Sequence, residues 1–309
     1  MVMWADAISV DPILVLNAFT YACMLSLASI GLTATYLTTK VPNFAQGSFL
    51  MVGAYTTILL VLKFGWNPYY AVLPAALAGG LAGLFTYYVA IYPLLRRGAK
   101  STTLMIATLA VAIMFYGIMN IIADAYARLG IRSRDVGLAH LDVVVPGLGI
   151  KGVYLAAPAM AFGTTIALYL LLTKTKLGVA FRATVENPDL ARVMGVNTYA
   201  VMATSWFISG FLGGLGGSIY PLFLRLAHPN AGDDMLPSIF AASVVGGLQS
   251  IYGGLIGGLI IGLSEKLITG LLGQIWPGIT VYQYVVSMAF LIAALVVMPR
   301  GIMGLLKRV

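Results

Sequence analysis

Residues 13–37 read ILVLNAFTYACMLSLASIGLTATYL, without a single charge. A helix crossing the hydrocarbon of a bilayer needs about 20 such residues in a row. A strand of a membrane barrel would instead alternate apolar and polar positions over roughly ten residues. This stretch does not alternate, so it reads as a spanning helix. Uncharged runs recur at 44–62, 67–95, 101–123, 152–173, 193–224, 235–264 and 267–299. Of the 309 residues 60% are hydrophobic and only 9% charged, against about 25% charged in an ordinary soluble domain. So few charges cannot cover the surface of a soluble chain this long. The expected fold is all-α: a polytopic transmembrane bundle of about eight or nine helices, forming one transmembrane domain over 1–309.

The basic residues set the orientation. Arg96, Arg97 and Lys100 form one cluster, Lys174, Lys176, Arg182 and Arg192 a second, and Arg300, Lys307 and Arg308 a third. The positive-inside rule places all three in the cytoplasm. Spans over 102–123 and 153–172 then fit between the first two clusters, with an external link over 124–152. Three spans before Arg96 put the N-terminus outside. From Asn197 the chain reaches the cytoplasmic C-terminus through 199–220, a broken or re-entrant stretch over 237–273, and 281–298. The net charge of +8 is spread over short loops, so no nucleic-acid partner is expected; lipid is. The only cysteine, Cys23, lies inside the first run, which excludes a disulfide framework. No basic residue precedes Lys40, so the basic region of a cleaved signal peptide is missing.

Glycines recur four apart at 79/83, 210/214, 213/217, 253/257 and 254/258. Lipid supplies no hydrophobic drive for helix association, so close backbone approach has to do it. Two segments interrupt the apolar pattern: KVPNFAQG at 40–47 and GGLQSIYGG at 246–254. Each is either an interfacial loop or a break at membrane depth, which is tolerated only inside protein or along a cavity. Glu265 and Lys266 sit in or near a span, and a helix-pairing or interfacial role is expected. Neighbours on a helix diverge by about 100°, so the two should not face one partner.

The longest cytoplasmic polar stretch is KTKLGVAFRATVENPDLARVMGVNTY at 174–199, and it holds a marked short helix. Asn187 is a good N-cap, Pro188 suits the first helical position and Asp189 suits the positive end of the dipole. Leu190, Ala191, Val193 and Met194 supply an apolar face, and Gly195 a stop. Two turns capped at both ends are marginal alone. The helix therefore packs on its own protein or docks into a cytosolic partner.

Several motifs, in order, carry a family resemblance: NFAQG at 43–47 with GAY at 53–55, LGVAFRA at 177–183, NPDLARVMGVN at 187–197, GGLQS at 246–250, Gly253, Gly257-Gly258, and MPRGIMG at 298–304. Over nearly the whole chain this sequence resembles the permease subunits of branched-chain amino-acid ABC importers, of the LivH and LivM kind. The resemblance implies a second, homologous permease, two cytosolic ATPase subunits and an external solute-binding protein as partners. It implies that 174–198 is a cytoplasmic loop whose helix couples to the ATPase through Asn187, Pro188, Asp189, Leu190, Ala191, Met194 and Gly195. The Glu-Ala-Ala pattern of many importers is missing in strict form, and only Ala191 and Gly195 keep the expected small residues. The pathway wall is expected near Asn43, Phe44 and Gln46. Branched-chain amino acids are the default cargo, with urea, short amides or other small polar solutes as the alternative.

No G-x-x-x-x-G-K-[ST] loop exists, so ATP is expected to be hydrolysed in a separate subunit and this chain is not expected to be an enzyme. Residues 147–152 match G-x-G-x-x-G, but outside the strand-turn-helix context a dinucleotide needs. His140 and His228 are the only histidines, and no metal set or cofactor follows from them. Asp233-Asp234 beside His228 reads as a charged external loop, more weakly as a cation site. A secondary transporter or channel would need intramembrane ionisable residues, and only Glu265-Lys266 qualifies.

Overall fold

The computed structural model describes residues 11–147, 149–223, 227–298 and 301–306. Within them α1 (Pro12–Thr39) opens on Asp11, whose carboxylate accepts the Ile13 N–H at 2.9 Å. Pro12 occupies the first helical position, where its missing N–H costs nothing. α2 (Gln46–Phe64) follows the break, and α3 (Val72–Thr86) runs through a π-turn (Tyr87–Ile91) into α4 (Tyr92–Arg96) as one rod. α5 (Ser101–Arg128) and α6 (Val153–Lys174) flank the external link. α7 (Lys176–Glu186) and the short α8 (Pro188–Val193) make the cytoplasmic loop. α9 (Thr198–Phe223), α10 (Ala231–Gly246), α11 (Ile251–Ile275), α12 (Gln283–Val297) and α13 (Ile302–Leu306) complete the bundle.

Among the described residues, eight helical rods are long and apolar enough to cross a membrane, the last of them including α12. The ninth candidate, α10, has 16 residues, or about 24 Å at 1.5 Å per residue, short of the roughly 30 Å hydrocarbon layer. It forms a hairpin with α11, closed where Gly246 meets Gly253. The hairpin turn, Gln249 to Ile251, lies against Leu37, Leu172 and Thr173 near the cytoplasmic ends of α1 and α6. The stretch expected to be broken or re-entrant over 237–273 is broken into two helices. The first begins six residues earlier than Pro237 and carries that proline inside it.

Packing follows the small residues. α3 and α9 run antiparallel, with Gly79 on Gly210 and Gly83 on the Trp206 carbonyl. α11 runs antiparallel to α1, with Gly254 on Ile30, Gly258 on Ser26 and Gly262 on Ala22. In both seams a side chain in place of the glycine would enter the opposing backbone. Large apolar side chains instead cover the outside, such as Ile106 on α5, Ile166 on α6 and Ile292 and Val296 on α12. That inversion is what lipid solvation allows.

The bundle is most basic at one end, where Lys40, Arg96, Arg97, Lys100, Lys174, Lys176, Arg182 and Arg192 gather at helix ends and loops. Arg300, Lys307 and Arg308 lie outside the described residues. At the other end the link is pinned by the Val136 to Ala227 and Val144 to Lys151 bridges. Tyr69 donates to Asp142 at 2.5 Å. Burial and that carboxylate push the Tyr69 hydroxyl well above its usual range.

Candidate functional site

The break after α1 turns inward rather than along the surface. Lys40 takes a left-handed conformation (φ 55°) that ends α1, and the chain returns to start α2 against the middle of α9. Asn43 and Gln46 are fully buried. The Asn43 side-chain oxygen accepts the Ala45 N–H at 3.0 Å, and its amide donates to Gln46 Oε1 at 3.3 Å. Ser209 Oγ donates to the same Gln46 oxygen at 2.7 Å, and Gln46 Nε2 donates to the Ser209 carbonyl at 3.3 Å. Gln46 ties α2 to α9, and Asn43 holds the start of α2 and the Gln46 side chain. Buried polar groups that find all their partners inside the fold rigidify it.

Phe44 is placed differently. Its ring packs on Phe240 of α10 at 5.1 Å and lines a cavity of about 370 Å³. α5 contributes Leu109, Ala112, Ile113 and Tyr116 to this cavity, and α10 contributes Asp233 and Leu236. The first turn of α10 sits beside Gly47 of α2, so two helix starts meet next to the cavity. Asp233 and Asp234 belong to that first turn and not to an external loop. Asp234 is spent on His228, 2.9 Å away. The sequence reading took Asp233 and Asp234 together, as a charged loop and more weakly a cation site, because adjacent acids look alike in sequence; only the fold shows which one lines the cavity.

On the cytoplasmic side, α7 is an eleven-residue helix absent from the sequence expectation, capped by Thr175 Oγ1 on the Gly178 N–H at 3.1 Å. α8 matches the expected short helix. Asn187 Oδ1 accepts the N–H groups of Asp189 at 3.1 Å and Leu190 at 3.0 Å. Gly195 holds φ 84° past its end, a conformation that costs a residue with a Cβ. Ala191 is buried against the protein, whereas Leu190, Val193 and Met194 are 59%, 83% and 77% exposed. Together they form an exposed apolar patch on the cytoplasmic loop. Arg192 fixes the helix from behind. It pairs with Asp189 at 3.2 Å, donates to Thr198 Oγ1 at 2.8 Å and lies over the Tyr199 ring at 5.0 Å. Tyr199 in turn packs on Tyr92 at 5.4 Å, and its carbonyl accepts from Tyr87 at 2.9 Å. α8 is therefore joined to the π-turn of the third rod.

Glu265 pairs helices. It is fully buried and accepts from Tyr21 of α1 at 2.8 Å and Ser287 of α12 at 2.5 Å. Lys266 donates to Gln283 at 2.7 Å and lies over the ring of the same Tyr21 at 4.5 Å. Contrary to expectation, the neighbours share one partner, because tyrosine offers a hydroxyl to one and a ring face to the other. Glu265→Ala leaves both donors without an acceptor, at about 1–3 kcal/mol each. It is expected to lower the melting temperature of the purified protein by about 5 °C or more, with Glu265→Gln recovering most of the loss. Equal melting temperatures in all three proteins would refute this role.

The family described as the branched-chain amino acid transport system permease component matches residues 14–295. The chain belongs to this family. The permease is 42% identical over 290 residues to a probable branched-chain amino acid transport permease protein LivH of Methanocaldococcus jannaschii, covering 93% of this chain and 91% of that one. It is 29% identical over 299 residues to the high-affinity LivH permease of Escherichia coli, covering 93% and 94%. It is 25% identical to the guanosine ABC transporter permease NupQ of Bacillus subtilis, covering 88% and 86%. Among solved structures, PsaBC from Streptococcus pneumoniae in complex with Fab shares the fold, with a TM-score of 0.50, 11% identity and coverage of 92% and 91%. The permease is thus a multi-pass protein of the cell membrane and a subunit of an ABC importer that works with other subunits.

Proposed function

We propose that this permease imports branched-chain amino acids, forming half of the pathway with a second, homologous permease. Two cytosolic ATPase subunits dock beneath it and an external solute-binding protein delivers the cargo. The observation that carries the reading is α8: a capped helix that points Leu190, Val193 and Met194 away from the bundle while Arg192 and Tyr199 link it to the membrane core. Such a helix is a handle for a cytosolic partner. The names of the archaeal and enteric relatives supply the cargo class. Phe44 and the apolar flank of α5 supply the wall of the pathway, and Asn43 and Gln46 hold that wall in place.

The test is reconstitution of the full complex in proteoliposomes. Radiolabelled leucine is expected to accumulate only with ATP on the cytoplasmic side and binding protein outside. Uptake by this chain alone, driven by an ion gradient without ATP, would overturn the proposal. Uptake of guanosine but not leucine would overturn the cargo while keeping the importer.

A further inference from the structure

We propose that Asp233 is a cargo-selecting anchor in the pathway, taking the ammonium group of an amino acid in transit while the hydroxyl of Tyr116 meets its carboxylate. This rests on the import reading above and names the chemistry that would recognise the cargo inside the membrane.

The cavity between α5 and α10 is apolar apart from these two groups. Leu109, Ala112, Ile113 and Leu236 form its walls. Asp233 is the only charged residue lining it, and its carboxylate has no hydrogen-bond or ion-pair partner among the described residues. A carboxylate beside apolar walls is costly unless a cation or donors offset it. Its neighbour Asp234 already has a partner in His228, 2.9 Å away, so the two carboxylates are not placed alike. An ammonium-bearing ligand would supply the missing partner.

Tyr116 is set for the complementary role. Its oxygen accepts from Asn230 Nδ2 at 3.2 Å, which leaves its own proton without an acceptor among the described residues. Asn230 is held by Asn120 at 2.9 Å, Asn120 by Arg134 at 3.3 Å, and Arg134 by Asp124 at 2.8 Å. This chain of contacts fixes the hydroxyl at one end of the cavity. A cation acceptor, a hydroxyl donor and an aliphatic wall together match a zwitterion with an apolar side chain. They offer a neutral amide such as urea no charge partner, and they repel an anion.

Two measurements test the anchor. In the reconstituted complex Asp233→Asn is expected to lower leucine uptake about tenfold or more, Asp233→Glu to restore part of it, and both to keep the melting temperature of the native complex. Leucine uptake by Asp233→Asn within about twofold of the native rate would overturn the proposal. Independently, Leu236→Cys places a thiol in the cavity of a protein whose only other cysteine, Cys23, is fully buried. A cationic methanethiosulfonate is expected to react there faster than an anionic one, and adding Asp233→Asn should cut that preference about tenfold. An unchanged preference would overturn the anchor. If the native complex imports no leucine, the cargo assignment fails, and the thiol measurement still decides what Asp233 does.

Discussion

Val193→Asp is expected to abolish ATP-driven uptake in the assembled importer while leaving the permease folded. Val193 is 83% exposed at the end of α8, so the permease itself loses no packing there. Exposed substitutions of this kind usually change stability by only about 0.5 kcal/mol. The same carboxylate buried under a docked ATPase would lack a partner, at a cost of several kcal/mol. Met194→Asp should behave alike, and Asp189→Asn, on the polar side of the helix, should be tolerated. The check is a three-way comparison of melting temperature, co-purification of the ATPase and leucine uptake. Retained co-purification with native uptake in Val193→Asp would remove α8 from the docking surface.

Gly217→Leu is expected to prevent formation of a stable bundle. A Cβ at this position would run into the Leu50 carbonyl and the Ala54 amide of α2, and backbone cannot swing aside as a side chain can. Overpacking a well-filled core costs about 1–3 kcal/mol when side chains absorb the strain. Here α2 and α9 would have to separate. Gly117→Leu and Gly163→Leu are the controls, because nothing lies within 4 Å of a Cβ at either position. Size-exclusion profiles of the detergent-solubilised variants should show aggregation or loss for Gly217→Leu and native peaks for the controls. A native peak for all three would mean that the α2 to α9 seam is looser than its geometry implies.

The spans were legible because bilayer thickness imposes a length that uncharged runs reveal directly. α8 was legible because Asn187, Pro188 and Gly195 each carry a local backbone requirement. α7 was not, since LGVAFRAT offers an amphipathic pattern without terminal punctuation beyond Thr175. The beginning of α10 was hidden by Pro237, which reads as a boundary yet lies seven residues into the helix. The break at 40–47 was visible as amides beside a glycine within apolar sequence. Composition could not separate Asn43 and Gln46, which are consumed by internal hydrogen bonds, from Phe44, which faces the cavity. That distinction depends on α5, α9 and α10, all distant in sequence.

The π-turn has a consequence for comparing relatives. Tyr87 and Tyr92 are five residues apart, and both reach Tyr199. On an uninterrupted α-helix such positions point about 140° apart. A π-turn accommodates one extra residue in the helix, so it behaves as a single-residue insertion stored inside a continuous rod. A relative lacking that residue would present different positions to the α8 support, even with every other residue unchanged. Aligning such a pair without a gap between 87 and 91 would shift the whole stretch up to Arg97 out of register. It would report substitutions at Tyr92 and Arg96 where there had been only a deletion.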